Sequence, residues 1–200
     1  MKNLLSTVLL FATTLGITYA NAPKKMETAV FGAGCFWCVE AVFQELNGVE
    51  SVESGYAGGD FANPTYKEVS TGKTGYAEVA RITYDPELVS FETLLAVFFK
   101  THDPTTLNYQ GADHGTQYRS AIFYTNAYQK EVAERIIKAL NSEKAYPKPI
   151  VTEVSPLTKF WIAENYHQDY YSNNPNQGYC EFVIQPKMEK FRKVFKDKLK

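Results

Sequence analysis

The stretch GAGCFWCVE, residues 32 to 40, sets Cys35 and Cys38 on either side of a Phe-Trp pair. This C-x-x-C spacing puts two thiols one helical turn apart on one face. It suits a redox dithiol, a pair of metal ligands, or one nucleophile with a spare thiol beside it. A metal would need two further ligands, and His102, His114 and His167 stand singly with no paired spacing, so no metal is expected. Two inert buried thiols are the plain alternative, but the run Gly32-Ala33-Gly34 just before Cys35 weighs against it. A thiol at the start of a helix meets unpaired N–H groups and the positive end of the dipole, which favour the thiolate. Glycines there also let a substrate approach the backbone closely.

The surrounding elements support that placement. ETAVFGAG (27–34) is a short apolar run ending in glycine, which predicts a buried strand feeding a turn. Phe36, Val39, Phe43 and Leu46 then recur at helical spacing until Asn47-Gly48 stops them. Strands are predicted over 49–59 and 76–85, with a long loop over 60–75 between them. Ser90 caps a helix to about Lys100, and 101–120 reads as a second polar loop. A strand at SAIFYT, a helix opened by Asn126 and Gln129 and running to Asn141, and a strand within KPIVTEVSP follow. The order strand-helix-strand-strand-helix-strand predicts an α+β fold, a two-layer sandwich of ferredoxin-like type.

Two hundred residues suit one domain with a core large enough to fold without staples, and three cysteines are too few for a disulfide scaffold. A formal charge of −1 points to no nucleic acid and no strongly acidic partner. At the N-terminus, Lys2 precedes an uncharged run from Leu4 to Ile17, and Thr18-Tyr19-Ala20 offers small residues at a cleavage site. The run is short for a bilayer span and reads as a signal peptide over 1–20, cleaved after Ala20, so an exported, periplasmic protein is expected. Its removal takes Lys2 away and leaves a formal charge of −2. A linker over 21–26, a catalytic domain over 27–186 and a basic amphipathic helix over 187–200 complete the expected organisation. Met188, Phe191, Val194, Phe195 and Leu199 line one side of that last helix, which is expected to pack on its own domain.

Longer motifs make the chemistry specific. GCFWCVE, SGYAGG (54–59), NPTYKEVSTGKTGYAEV (63–79), THDPTTLNYQGADHGTQYRSAIFY (101–124), AENYHQDYY (163–171) and QGYC (177–180) resemble, in order, the motifs of the A-type peptide methionine-S-sulfoxide reductases. The likeness runs from about Val30 to Lys193. It implies an α+β sandwich with a central mixed sheet. It also implies reduction of methionine S-sulfoxide, free or in proteins, through a sulfenic acid on Cys35 and an intramolecular disulfide. No cofactor is implied beyond an external dithiol reductant such as thioredoxin or a thioredoxin-like relay. A monomer is expected.

The resemblance assigns roles by position. Cys35 is the nucleophile, Phe36 and Trp37 hold the sulfoxide's methyl group, and Tyr66, Glu78 and Tyr118 surround its oxygen. Asp113 is a supporting acid. Tyr76 stands where many relatives carry His. By spacing alone Glu78 would be a solvated strand residue, Tyr66 and Tyr118 loop aromatics, and Phe36 and Trp37 core. The chemistry nevertheless fits these residues. The sulfoxide oxygen must be protonated to leave, and a carboxyl in an apolar pocket is held in its protonated form. Cys180 matches the relatives' C-terminal resolving cysteine and is expected, from a flexible loop containing Asn176 and Gly178, to condense first with the sulfenic acid. Cys38 is then a relay. A thioredoxin-like oxidoreductase would use the same C-x-x-C but needs a facing cis-proline loop, of which there is no pattern. A non-catalytic thiol-bearing binding module would consume no methyl sulfoxide with dithiothreitol.

Overall fold

The computed structural model describes residues 25–200. The expected leader with its cleavage site, and linker residues 21–24, lie outside the described residues. β1 (Glu27–Ala33) leads into α1 (Phe36–Gln44), and β2 (Val49–Ala57), α2 (Tyr66–Val69), β3 (Ala77–Tyr84) and α3 (Phe91–Thr101) follow. Next come β4 (Tyr109–Gln110), β5 (Asp113–His114), β6 (Ser120–Tyr124), α4 (Ala127–Ser142), β7 (Glu153–Pro156) and β8 (Phe160–Ile162). α5 (Tyr170–Asn173) and α6 (Gln185–Val194) close the chain.

The six-stranded sheet has the order β7-β6-β1-β3-β2-β8. All its pairs are antiparallel except β6–β7, which is parallel, so the sheet is mixed. The α+β class and the mixed central sheet therefore stand. A four-stranded ferredoxin-like plan does not account for β7 and β8 at the edges or for the separate β4–β5 hairpin. β8 has only three residues, too few for alternation to show in a sequence.

Side chains alternate between the two faces of each strand. Ala29, Phe31, Val52, Ala80, Ile82, Tyr84 and Ile122 join the main core, together with residues of α1, α3, α4 and α6. Val30, Ala77, Val79, Ala121 and Phe123 form a smaller cluster on the opposite face, closed by Leu157 and Phe160. Phe31 sits at the centre, its ring 5.0 Å from Phe98, 5.6 Å from Phe43 and 6.0 Å from Phe91.

The segments read as plain loops carry structure of their own. Thr65 caps α2 in a capping box: its hydroxyl accepts from Glu68 N–H, and Glu68 Oε2 accepts from Thr65 N–H at 2.9 Å. The second loop is tied down by buried His102, whose Nδ1 lies 2.6 Å from Phe98 O and Nε2 2.7 Å from Ser120 Oγ. Burial pushes that imidazole down to about 4, so it is neutral at physiological pH. The boundary expected after residue 186 falls inside α6. Met188 and Phe191 are buried in the main core, and Asn47 N–H donates to Lys198 O at 2.8 Å. No helix among the described residues is long and apolar enough to cross a membrane.

Truncating Phe31 removes a fully buried ring from this cluster. Phe31→Ala should cost roughly 3–5 kcal/mol, which for a chain of this size lowers the melting temperature by roughly 10 °C or more. Phe182→Ala, at a side chain 76% exposed, should shift stability by no more than ~0.5 kcal/mol. Parallel thermal melts check both.

Candidate active site

The turn from β1 into α1 fixes Cys35. Gly34 has φ +90°, and a Cβ there would come within 2.8 Å of the Gln110 side chain, so both backbone conformation and close packing require glycine. Cys35 is the N-cap of α1, with φ −56° and ψ 126° and no capping hydrogen bond from its thiol. The first N–H of the helix, that of Phe36, donates instead to Glu78 Oε2 at 3.1 Å. Glu78 comes from β3, opposite Tyr56 of β2 in the register. It lies on the same strand face as Ala80 and Ile82, where their row reaches the start of α1. The carboxyl is 1% exposed.

A cavity of ≈ 170 Å³ gathers Cys35, Phe36, Trp37, Tyr66, Glu78, Asp113 and Tyr118. Seven sequence-named residues from five separate segments thus meet at one place. Cys38 is absent from this cavity but lines an adjoining one of ≈ 150 Å³ together with Cys35. Cys180 lines neither. It is fully buried at the start of the π-helical turn Cys180–Ile184, not in a flexible loop. The Gly and Asn that suggested mobility precede a turn whose residue Ile184 packs into the core. All three cysteines are free thiols.

Other residues complete the site without having been singled out. Tyr179 also lines the cavity; its hydroxyl donates to Asp113 Oδ2 at 2.5 Å and lies 4.0 Å from Cys38 Sγ. Trp37 is clamped: Tyr170 stacks on its ring at 3.7 Å and 6°, and its Nε1–H donates to His167 Nδ1 at 3.2 Å. The accepting Nδ1 assigns the imidazole proton to Nε2. The buried His167 ring also packs on Phe36 at 4.9 Å and on Tyr66 at 4.5 Å. Glu164 accepts from Tyr66 N–H at 2.8 Å and from the Tyr56 hydroxyl at 2.9 Å, which anchors the segment carrying Tyr66. The dense aromatic and polar run ENYHQDYY was the available signal for His167 and Tyr170. Tyr76, the departure from the family pattern, packs on Gly59 and donates its hydroxyl to Phe61 O, outside the cavity lining. Among the described residues no three His, Cys, Asp or Glu side chains converge as a metal set.

Burial dominates the electrostatics. It raises Glu78 to about 8 against the hydrogen bond from Phe36, so the carboxyl is mostly protonated at neutral pH and able to donate. Burial pushes the Tyr66 hydroxyl up to about 12 and raises Tyr118 as well, so both remain donors. The Cys35 thiol also rises well above the ordinary value, first through burial and then through its hydrogen bond with Cys38 and the nearby Glu78. The thiolate expected at the helix start is therefore not the resting form of Cys35. Desolvation in a closed pocket outweighs one helix end. Cys38 falls to about 6, chiefly through the hydrogen bond from Cys35, aided by Lys187 and Tyr179 and opposed by burial.

A carboxyl whose pKa is raised on folding stabilises the native state fully below its unfolded value, and that contribution is lost as pH rises through the folded value. For Glu78 the window runs from 4.5 to about 8. Glu78→Gln cannot ionise, so its melting temperature should gain on the wild type between pH 5 and pH 8.5. Melts of both proteins across that range decide it; a constant gap would mean that Glu78 ionises as readily folded as unfolded.

Comparison with known proteins agrees with this geometry. The model of the family described as peptide methionine sulfoxide reductase matches residues 27–199. Peptide methionine sulfoxide reductase MsrA of Deinococcus radiodurans is 53% identical over 174 residues, covering 87% of this chain and 84% of that relative. The MsrA of Haloquadratum walsbyi is 56% identical over 173 residues, covering 86% and 98%. Among solved structures, reduced Mxr1 of Saccharomyces cerevisiae superposes with a TM-score of 0.73 at 34% identity, covering 80% of this chain and 91% of that one. Methionine sulfoxide reductase A of Corynebacterium diphtheriae gives 0.68 at 37% identity, covering 78% and 77%. With a family match over residues 27–199, and Cys35, Glu78, Tyr66 and Tyr118 from its separate motifs drawn into one cavity, the chain belongs to the peptide methionine sulfoxide reductases and is an oxidoreductase of the MsrA kind.

Proposed function

We propose that the protein reduces methionine S-sulfoxide, free or in exported proteins, to methionine through a sulfenic acid on Cys35 and an intramolecular disulfide. The observation that carries this reading is the Glu78 carboxyl, buried and lining one cavity with the Cys35 thiol and the Tyr66 and Tyr118 hydroxyls, where burial favours its neutral form. The sulfoxide's methyl group lies against Phe36 and Trp37, and its oxygen accepts from Glu78 and the two tyrosines. The tyrosines spread the charge that develops there. Cys35 attacks the sulfur as Glu78 protonates the oxygen, and the proton leaving Cys35 restores the carboxyl. The partial positive charge on the sulfoxide sulfur favours the thiolate at the moment of attack. The S–S bond made in the attack and the S–O bond of the sulfoxide then break as the oxygen passes to the Cys35 sulfur, so that methionine departs and Cys35 is left as a sulfenic acid.

Cys38 is the first thiol to condense with it in this reading, since it shares a cavity with Cys35 while Cys180 is sealed in the core. Cys35 has N-cap rather than helical dihedrals, which leaves a disulfide to Cys38 room to form. Cys180 then acts as a relay behind Cys38. An external dithiol, thioredoxin or a thioredoxin-like relay, reduces the disulfide; a solved structure of yeast Mxr1, at 23% identity, holds that protein in complex with Trx2. The leader-like pattern in residues 1–20 supports work outside the cytoplasm, where a thiol relay across the membrane supplies electrons. The enzyme acts as a monomer and needs no other cofactor.

Assays on separated epimers with dithiothreitol test the reading. The S epimer should be consumed and the R epimer left, because a pocket that fixes methyl, oxygen and lone pair is chiral. Cys35→Ser should retain at most a few per cent of turnover, and Glu78→Gln should slow the reduction by roughly 10² to 10⁴-fold. Comparable rates on both epimers would sink the pocket assignment.

The resolving step is tested with Cys180→Ser, one equivalent of sulfoxide and no added thiol. This variant should lose its sulfenic acid at the wild-type rate and show a Cys35–Cys38 disulfide on peptide mapping. Persistence of the sulfenic acid would make Cys180 the first resolver.

A further inference from the structure

The sulfoxide cavity has a neighbour with a different composition. Cys35, Asp113 and Tyr179 line both cavities, whereas Cys38 and Lys187 belong to the second. That second cavity shares Gln110 and Lys187 with a larger cleft of ≈ 640 Å³, on whose wall Lys100 and Lys190 also stand, with Asp103 among them. The lysine-rimmed cleft therefore adjoins the Cys38 cavity at Gln110 and Lys187, residues that do not line the substrate's pocket. Lys187 is half-buried on the first turn of α6, three residues after the buried π-turn residue Ile184, so the helix packing holds its stem.

We propose that the second cavity is the thiol-exchange port of this enzyme, with Lys187 as the positioning residue that activates Cys38. The inference rests on the reductase reading above and deepens it. The groups acting on Cys38 are the Cys35 thiol, Glu78, Asp113, the Tyr179 hydroxyl, Cys180 and Lys187. Among these described residues Lys187 is the cation, and Asp113 opposes a thiolate. The hydrogen bonds from Cys35 and Tyr179 also favour the thiolate, and the Lys187 ammonium is the charged group that does so. The Cys38 thiol is held down at about 6, chiefly by the hydrogen bond from Cys35 and then by Lys187.

In the step served, the Cys38 thiolate attacks the Cys35 sulfenic sulfur and an S–S bond forms as the S–O bond breaks. The departing hydroxide takes up the proton that Cys38 released and leaves as water. An external dithiol then attacks through the port. Its two thiols are oxidised to a disulfide, and Cys35 and Cys38 regain one proton each. The lower-pKa sulfur of a mixed disulfide leaves faster, so the same ammonium also assists Cys38 as leaving group.

Lys187→Met and Lys187→Arg, in the full chain, separate this from a structural role. With one equivalent of S-sulfoxide, both variants should form methionine in a burst at the wild-type rate. Lys187→Met should then close the Cys35–Cys38 disulfide roughly tenfold more slowly at pH 7, and Lys187→Arg should restore it. Without any sulfoxide, the pH midpoint for alkylation of Cys38 by iodoacetamide, mapped by peptide mass spectrometry, should lie higher in Lys187→Met than in the wild type, where the thiol is held down at about 6. An unmoved midpoint, a disulfide closing at the wild-type rate, or a lost burst in Lys187→Met overturns the proposal. A wild-type protein that forms no methionine overturns the reductase reading instead, while the alkylation midpoint still judges Lys187.

Discussion

The hydrogen bond from Phe36 N–H to Glu78 Oε2 joins the first turn of α1 to the start of β3, and the site is organised around it. The bond satisfies an N–H that the helix itself cannot pair, and it sets a carboxyl beside the thiol of the N-cap residue Cys35. Two effects oppose each other at Glu78. The donated hydrogen bond favours the carboxylate, while removal from water favours the neutral acid, and burial prevails. The acid remains available as a proton donor because the surrounding walls are aromatic. A solvated Glu78 would be ionised at neutral pH and could not protonate a leaving oxygen.

Those walls need support of their own. Phe36 and Trp37 lie on a short helix, but their ring positions are set from the far end of the chain. His167 packs on Phe36 and Tyr66 and accepts from Trp37, while Tyr170 stacks on the indole. Glu164, close by, holds the backbone of Tyr66 and the hydroxyl of Tyr56. The neutral imidazole suits this place, since a charged ring among aromatics would carry an uncompensated desolvation cost. Burial accordingly holds the His167 pKa below its ordinary value.

The thiols divide the labour by position. Cys35 rises in pKa and faces the substrate cavity, and Cys38 falls and faces the adjoining one. Sharing one proton between two close thiols lets the pair hold a nucleophile in reserve without two buried negative charges. In the proposed reaction this separates the oxygen-handling surface from the electron-handling surface by the thickness of one cysteine turn.

The sequence by itself determined the inner strands, the longer helices and, through the family resemblance, the residues expected at the site. An apolar run ending in glycine marks β1, alternation marks β2 and β3, helical spacing marks α1, caps mark α3 and α4, and the family resemblance carried by GCFWCVE and its companion motifs points to Cys35, Phe36, Trp37, Tyr66, Glu78, Asp113 and Tyr118. These signals are local, so they survive in one dimension. The protonation states were decided only in three dimensions. A helix start alone argues for a Cys35 thiolate, but the pKa depends on how much water the rest of the fold excludes, and β3, β5 and the segment 163–171 exclude it. The place of Cys180 was likewise tertiary: Asn176 and Gly178 look mobile in sequence, yet the turn after them packs Ile184 into the core and seals the thiol. His167, Tyr170, Tyr179 and Lys187 could not be ranked from spacing, because each acts through contacts to segments distant along the chain, and such contacts leave no periodic trace.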